Sequence, residues 1–336
     1  MTATFYAGNT TRPHWGGADS DVDQHLEVYD GEVDTAFQYN AIFRSLSTQR
    51  SVQDRSNTIR IDRLNKSTVK SRQSGVALDS QKVTSDKLVI TVDTVLYIRN
   101  PIDYQDDWTA PDFLREMGMN NGTSFAEAFD EAHIIQLIKS RDWVAPAHLK
   151  PAFNDGIEIQ AEFDSGTNLT QAEYEANAVA LHTAHKLAVA ELIKRKVSLA
   201  DQITLVTPEV YNTLLEHPKL LNVEDFGGSE NGAYADRRVL RMNGVPIIEN
   251  TEFPKDTNNA HILGADFNVT ADDLDCQMVL FSRAKTLVTV EAKPFTSRVW
   301  DDEREFCNVL DCYAMYTVGQ RRPDTAAVVK LIAPTP

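Results

Sequence analysis

Two places in the sequence combine residue types and spacings that could support chemistry. His182 and His185 lie three residues apart in a helical pattern and could share a metal ion with Glu175 or His133. No third ligand follows at a defined spacing, so surface or packing histidines are the favoured interpretation. The run DDERE at 301–305 could exchange protons, but a run of charges usually marks a solvated face.

The common catalytic and cofactor motifs are absent. The chain contains no G-x-G-x-x-G, G-x-x-x-x-G-K-[ST], G-x-S-x-G or C-x-x-C sequence. Its cysteines, Cys276, Cys307 and Cys312, are odd in number, and the last two would lie on opposite faces of a strand. We therefore expect a non-enzymatic protein with reduced thiols and with neither a cofactor nor a metal ion.

The composition predicts a folded protein that does not enter a membrane. With 336 residues, 42% of them hydrophobic, the chain can form one large domain or two of ordinary size. It has no signal-peptide pattern and no run of about 20 apolar residues. We expect it to stay in the cytosol in which it is made.

The charge of the chain is distributed unevenly. The net charge is −16, yet residues 44–87 contain ten Lys or Arg and four Asp or Glu, a local charge of +6. The first 43 residues carry Arg12 and seven acidic residues, a local charge of −6. These acids are Asp19, Asp21, Asp23, Glu27, Asp30, Glu32 and Asp34. The two opening segments are therefore electrostatic complements.

The basic segment predicts a long ribbon. Residues 50–87 alternate locally, contain Ser74-Gly75 as a turn, and lack aromatic side chains. Two strands of about eighteen residues would reach roughly 60 Å at ~3.3 Å per residue, whereas a compact chain of this length has a radius of gyration of about 20 Å. The ribbon must then project and lie on another molecule. A mobile loop is the simpler alternative, and nucleic-acid binding would lack aromatic stacking partners.

The remaining sequence alternates between strand and helix patterns, which predicts an α+β fold. Residues 1–24 resemble an arm, and the run KLVITVDTVLYI at 87–98 resembles one core strand. A helical pattern that begins near Thr109 is interrupted at MNNG, starts again at Ser124 and continues as a one-sided helix to Lys139. A second helix begins with a Thr170–Glu173 capping box. Then come the strand QITLVT, a helix from Pro208, a turn at Asn243-Gly244, and the strands CQMVLF, TLVTVEA, CYAMYTV and TAAVVKLI.

The order of these elements resembles a known family. GEVDTAF at 31–37, the basic hairpin, LVITVDTVLYI and the interrupted long helix are similar to segments of the major capsid proteins of short-tailed, autographivirus-type phages. The C-terminal pattern is similar as well: Tyr313-Ala314-Met315, Gly319, Arg322-Pro323, Ala326 and Val329. Those proteins have the Hong Kong 97 (HK97) capsid fold.

The resemblance implies a subdivision of the chain. It implies an N-terminal arm (1–43), an E-loop (44–87), a peripheral domain with a spine helix (88–168), an axial domain (169–285) and C-terminal strands of the peripheral domain (286–336). Such subunits form hexamers and pentamers that close an icosahedral shell around double-stranded DNA. An encapsulin-like cellular shell of the same fold is the alternative.

The resemblance also implies partners. The ribbon would be the E-loop, laid on an adjacent subunit. Its predicted contacts are Arg60, Arg63, Lys66, Lys70 and Arg72, and the arm's are Asp19, Asp21, Asp23 and Glu27. Further expected partners are a scaffolding protein, a portal protein and a decoration protein, with DNA enclosed and not specifically bound. A Lys–Asn crosslink, from Lys66 or Lys70 to Asn308 with Glu303 as catalyst, is not expected.

Overall fold

The computed structural model describes residues 41–52, 56–105, 113–150, 152–166, 169–217 and 241–334. The α-helices in this part of the chain are α1 (Phe43–Leu46), α2 (Phe113–Lys139), α3 (Gln171–Lys194), α4 (Pro208–Leu215) and α5 (Ala271–Leu274). The first six strands are β1 (Thr48–Ser51), β2 (Thr58–Leu64), β3 (Ser85–Thr91), β4 (Leu96–Asp103), β5 (Ile157–Glu162) and β6 (Gln202–Val206). The others are β7 (Arg241–Met242), β8 (Val245–Glu249), β9 (Cys276–Ser282), β10 (Leu287–Asp302), β11 (Cys307–Gln320) and β12 (Ala326–Ile332).

The strands form three sheets. A four-stranded sheet has the order β1-β10-β11-β4, a six-stranded sheet has the order β5-β12-β9-β6-β8-β7, and β2 pairs with β3 alone. This mixture of parallel and antiparallel sheets with separate helices confirms the α+β class.

The long helix α2 joins the two larger sheets. Its apolar face carries Phe125, Phe129, Ile135 and Ile138, which lie in one core with residues of both sheets. The six-stranded sheet buries its opposite face under α3 and α4, in clusters that include Leu181, Ala188 and Leu192 of α3. The hydrophobic core around α2 therefore extends from the four-stranded sheet to one face of the six-stranded sheet.

Local signals in the sequence predicted several element ends correctly. Thr170 and Glu173 form the capping box that begins α3, and Thr207 caps α4 with Pro208 at its first position. Asn243 and Gly244 have φ of 53° and 81°, as the tight turn between β7 and β8 requires. In the described residues, no helix is long and apolar enough to span a membrane.

Two expectations about the elements were wrong. The helix is not broken at MNNG, because α2 runs continuously through it and Asn121 accepts a hydrogen bond from the Asn100 side chain at 3.1 Å. The run 87–98 forms two strands that belong to different sheets, separated by residues 92–95. Within the segment 286–336, β10 and β11 lie in the four-stranded sheet, and β12 pairs with β5 and β9 in the six-stranded sheet.

Candidate assembly interface

The predicted ribbon is present, but its paired part is short. Strands β2 and β3 pair in antiparallel register over seven residues each, from Thr58↔Thr91 to Leu64↔Ser85. Beyond them the chain continues as a loop without regular strand structure to the turn at Gly75, where φ is 87°. The expectation of about eighteen paired residues per strand was therefore wrong. Polar residues without apolar cross-strand partners do not stabilise a longer isolated ladder.

The base of the ribbon packs on its own subunit through a small apolar cluster. Ile61 and Ile90, each 7% exposed, contact Val288 and Val290 of β10. Gly319 on β11 makes this approach possible, since a Cβ at that position would lie 2.4 Å from the Ile90 Cδ1 atom. The ribbon is thus rooted in the four-stranded sheet.

Arg63 adds a polar anchor to the same base. Its guanidinium donates hydrogen bonds to the main-chain carbonyl oxygens of Gln320 at 2.7 Å and Arg321 at 3.2 Å. It also lies 5.5 Å from the ring centroid of Trp143, and the residue is only 8% exposed. Burial lowers the pKa of this guanidinium, and the nearby carboxylates of Asp86 and Asp324 offset part of that shift. Arg63 therefore anchors the ribbon to its own subunit, and its expected contact with a neighbouring copy stays a prediction.

A third set of contacts holds the two ends of the loop. The Asn65 side chain donates to the His148 carbonyl oxygen at 2.9 Å, and the Thr84 hydroxyl donates to the same oxygen at 2.6 Å. The Asn65 amide nitrogen also donates to Thr84 Oγ1 at 3.1 Å. Both ends of the loop are therefore fixed to one point of the subunit.

Between these ends, every residue from 66 to 83 is exposed, and we call this segment the ribbon loop. It contains Val69 and Leu78, which are 97% and 82% exposed. Contacts within the loop join its two sides: Lys70 pairs with Asp79, Thr68 donates its amide to the Gln81 side chain, and Arg72 donates to the Val76 carbonyl oxygen. The loop is thus shaped by its own contacts while its apolar side chains remain uncovered.

The segment just before β1 is held by the spine-like helix α2. The Asp130 carboxylate accepts hydrogen bonds from the backbone N–H groups of Ile42 at 2.9 Å and Phe43 at 3.1 Å. The Phe43 ring is fully buried and stacks on His133, with a centroid distance of 4.9 Å. Burial raises the pKa of Asp130 to about 6. We call this set of contacts the Phe43 clamp.

The candidate metal-binding histidines are packing residues. His133 uses both ring nitrogens, with the Phe129 carbonyl oxygen at 2.6 Å and Thr289 Oγ1 at 2.7 Å. His185 contacts Thr204 Oγ1 at 2.9 Å and accepts from the Asn243 side chain at 3.0 Å. Burial lowers the pKa of each histidine to about 4. Among the described residues no group of three His, Cys, Asp or Glu side chains could hold a metal ion.

Comparison with solved structures identifies the family. No protein-family model and no curated protein sequence matches the chain. The chain superimposes on the mature capsid subunit of bacteriophage PhiM1 with a TM-score of 0.77 and 46% sequence identity, over 99% of both chains. The chain belongs to the phage major capsid proteins of the HK97 fold. This capsid protein is therefore a structural shell subunit and not an enzyme.

More distant structures share the fold of this capsid protein. The capsid of cyanophage P-SCSP1u has a TM-score of 0.72 at 20% identity, over 88% of this chain and 89% of that chain. The virus-like particle of Pyrococcus furiosus has a TM-score of 0.51 at 12% identity, over 90% and 97%. The high identity to a phage capsid favours the phage shell over the encapsulin-like alternative.

Sequence reasoning found the ribbon but missed its anchors. Gly319 was noted only as part of a family pattern, whereas it accommodates Ile90 at the base of the ribbon. Arg322 of the same pattern lies outside the ribbon and pairs with the buried Asp324 at 2.9 Å. Their position at the end of a strand pattern was the available signal. The acidic residues Asp19, Asp21, Asp23 and Glu27 of the arm, and the GEVDTAF motif, lie outside the described residues.

Proposed function

We propose that this capsid protein assembles by laying its ribbon loop on an adjacent copy. The observation that supports this is the run of eighteen consecutive exposed residues, 66–83, anchored at both ends to its own subunit. An isolated loop of this length gains little by projecting into water, whereas a neighbouring surface could bury Val69 and Leu78.

The cations of the ribbon determine where it docks. Arg60, Lys66, Lys70 and Arg72 are exposed, and the rest of the chain outside 44–87 carries a charge of −22. We propose that they face an acidic surface of the neighbour, including its arm residues Asp19, Asp21, Asp23 and Glu27. Single exposed ion pairs contribute only ~0–1 kcal/mol, so the effect comes from repetition around each capsomer.

The finer assignments follow the same proposal. The four-stranded sheet with α2 is the peripheral domain, and the six-stranded sheet with α3 and α4 is the axial domain. The ribbon, β2 to β3, is the E-loop, so this element is narrower than 44–87. The phage is of the short-tailed type, and the subunits assemble in the cytoplasm of the bacterial host. The other partners are a scaffolding protein, a portal protein and a decoration protein.

Replacing residues 67–82 with a short Gly-Ser linker tests the assembly role. The replacement keeps Ile61, Arg63, Asn65 and Thr84, so the subunit should fold with an unchanged thermal melt. It should fail to form shells in negative-stain micrographs when it is expressed with its scaffolding protein. Normal shells from this variant would contradict the proposal.

Charge reversal tests the contribution of the ribbon cations to assembly separately from that of the whole loop. We expect the triple change Arg60→Glu, Lys66→Glu and Arg72→Glu to prevent assembly. The matched control reverses three exposed cations elsewhere, Lys255, Arg283 and Arg304, with the same change in net charge. Equal defects in the two triple variants would show that net charge alone acts and would refute specific docking of the ribbon.

Enclosed DNA is not specifically bound in this proposal. Long-range repulsion from the acidic remainder of the chain opposes the local positive charge of the ribbon. Isolated subunits should therefore give no mobility shift with double-stranded DNA at physiological salt. A tight complex that is lost when the ribbon cations are neutralised would favour a nucleic-acid role instead.

A further inference from the structure

The loop between α2 and β5 is closed on itself. We call its described residues within 143–155 the relay loop. They have a small apolar core of their own, whose members are each at most 5% exposed: Ala145, Leu149 and Phe153. The Gly156 amide donates to the Trp143 carbonyl oxygen at 2.8 Å, so the two ends of the loop meet. A compact loop with its own core and adjoining ends is a structural unit.

One set of contacts joins the relay loop to the ribbon. The His148 carbonyl oxygen accepts hydrogen bonds from the side chains of Asn65 at 2.9 Å and Thr84 at 2.6 Å. The Asn65 side chain also donates to the Lys150 carbonyl oxygen at 3.3 Å. Because Asn65 and Thr84 flank the ribbon loop, the relay loop fixes where the ribbon loop leaves the subunit.

A second set of contacts joins the relay loop to α3 and the six-stranded sheet. Arg195, the residue that follows α3, donates to the carbonyl oxygens of Asp155 at 2.7 Å and Asp324 at 3.0 Å. Arg322 lies 4.6 Å from the Phe153 ring centroid and donates to a relay-loop carbonyl oxygen at 3.1 Å. Arg322 and Asp324 lie just before β12, so these contacts reach the six-stranded sheet.

We infer that the relay loop couples the position of the ribbon to the end of α3 within one subunit. Both sets of contacts end on carbonyl oxygens of the same packed loop, and a packed interior transmits a displacement. A ribbon that moves away from His148 should therefore disturb the carbonyl oxygens to which Arg195 and Arg322 bind. Such a coupling is reciprocal, so a loosened α3 end should also loosen the ribbon. It does not depend on which molecule the ribbon loop contacts.

The ribbon has a second connection near these residues, which the experiment must leave intact. Arg63 donates to the carbonyl oxygens of Gln320 and Arg321, next to Arg322 in the sequence. A variant of Arg63 would disturb this segment directly. The relay loop is therefore tested through Asn65 and Thr84, whose side chains contact it from the ribbon.

The first test breaks the contacts on the ribbon side. The double change Asn65→Ala and Thr84→Val removes the side-chain hydrogen bonds to the relay loop and keeps Arg63. Hydrogen exchange is measured in unassembled subunits. The amides of residues 195–197, which donate to carbonyl oxygens of the last turns of α3, should exchange about 3 to 30 times faster than in the wild type.

The matched control makes the same kinds of change inside the ribbon loop. Gln81→Ala with Thr68→Val removes an amide and a hydroxyl that hydrogen bond to each other at 3.3 Å. This control should alter exchange at 195–197 by less than about twofold. The amides of β9 should not change in either double variant, which shows that the subunit stays folded. Equal exchange at 195–197 in the two double variants would overturn the inference.

The second test starts from the end of α3. Arg195→Ala should make the Asn65 amide, which is hydrogen-bonded across the ribbon, exchange faster by a similar factor. Lys194→Ala, which removes an exposed cation one position earlier, should stay within about twofold of the wild type. If Arg195→Ala acts on the ribbon while the first double variant leaves the end of α3 unchanged, the coupling bypasses the relay loop and the inference is refuted.

Discussion

Removal of the Arg63 side chain should detach the base of the ribbon from its own subunit. Arg63→Ala removes two hydrogen bonds from a charged group to main-chain carbonyl oxygens and one contact with the Trp143 ring. Hydrogen bonds to charged groups contribute about 1.5–3 kcal/mol each, and a cation–π contact about 0.5–1 kcal/mol. Burial of the charge opposes these gains, so we expect a net loss of about 2–4 kcal/mol.

The matched control is Arg60→Ala on the same strand. Arg60 is exposed, so this change removes the same charge and a similar side-chain volume without breaking an anchor. Surface substitutions of this kind usually change stability by less than about 0.5 kcal/mol. A third variant, Arg63→Lys, keeps the charge but cannot reproduce the fork of the guanidinium, so it should lie between the other two.

Hydrogen exchange of unassembled subunits measures this loss of stability at the individual amides of the ribbon. The ribbon lies at the edge of the main core, so its amides should open locally before the subunit unfolds. In Arg63→Ala the amides of β2 and β3 should exchange about 30 to 1,000 times faster, while those of α2 and β9 should not change. Exchange rates in Arg63→Ala and Arg60→Ala that agree within about threefold would refute the anchoring role.

Three further predictions concern the stability of the subunit. Gly319→Ala should destabilise the ribbon base by about 1–3 kcal/mol through overpacking, and Ile90→Val in the same chain should restore most of this loss in a double-mutant cycle, because it removes the Cδ1 atom that the new Cβ meets. The buried, neutral His185 should make unassembled subunits less stable in acid. Its pKa is about 4 in the folded state and about 6.5 in the unfolded state, so the unfolded state takes up a proton first as the pH falls. The free energy of unfolding should therefore fall by about 2 kcal/mol between neutral pH and pH 5. His185→Gln should reduce the pH dependence of the unfolding free energy, measured with urea, by that amount, and an unchanged dependence would contradict a buried neutral ring. The pKa of Asp130 is raised to about 6 in the folded state, so this residue favours the folded state as the pH falls, opposite to His185. Thr170→Ala should lower subunit stability by about 1 kcal/mol through loss of the α3 capping box, and no change in the urea midpoint would show that the cap is not needed.

Local signals predicted the element ends well, and long-range pairing limited the rest. The Thr170 capping box, Pro208 and the Asn243-Gly244 turn act over a few residues, so the sequence contains their cause in one place. The sheet to which β12 belongs depends on its pairing with β5 and β9, which lie far before it in the sequence. The helical MNNG segment likewise has a contact outside itself, since Asn121 accepts a hydrogen bond from the Asn100 side chain.

The candidate interface divides in the same way. The projecting ribbon and its charge could be predicted, because composition and alternation are local properties. The role of Arg63 could not, since its carbonyl acceptors at Gln320 and Arg321 lie more than 250 positions away in the sequence. A count of charged residues treats the exposed Arg60 and the anchored Arg63 alike. Only the folded structure distinguishes them.

The Phe43 clamp and the base of the ribbon transmit force to the same strand, β10. His133 of the clamp contacts Thr289 Oγ1 at 2.7 Å, and β1, which follows the clamp, pairs with residues 288–291 of β10. The base of the ribbon packs on Val288 and Val290, on either side of Thr289. A force that displaces β10 through one attachment therefore also displaces the other, so the two attachments are mechanically coupled within one subunit.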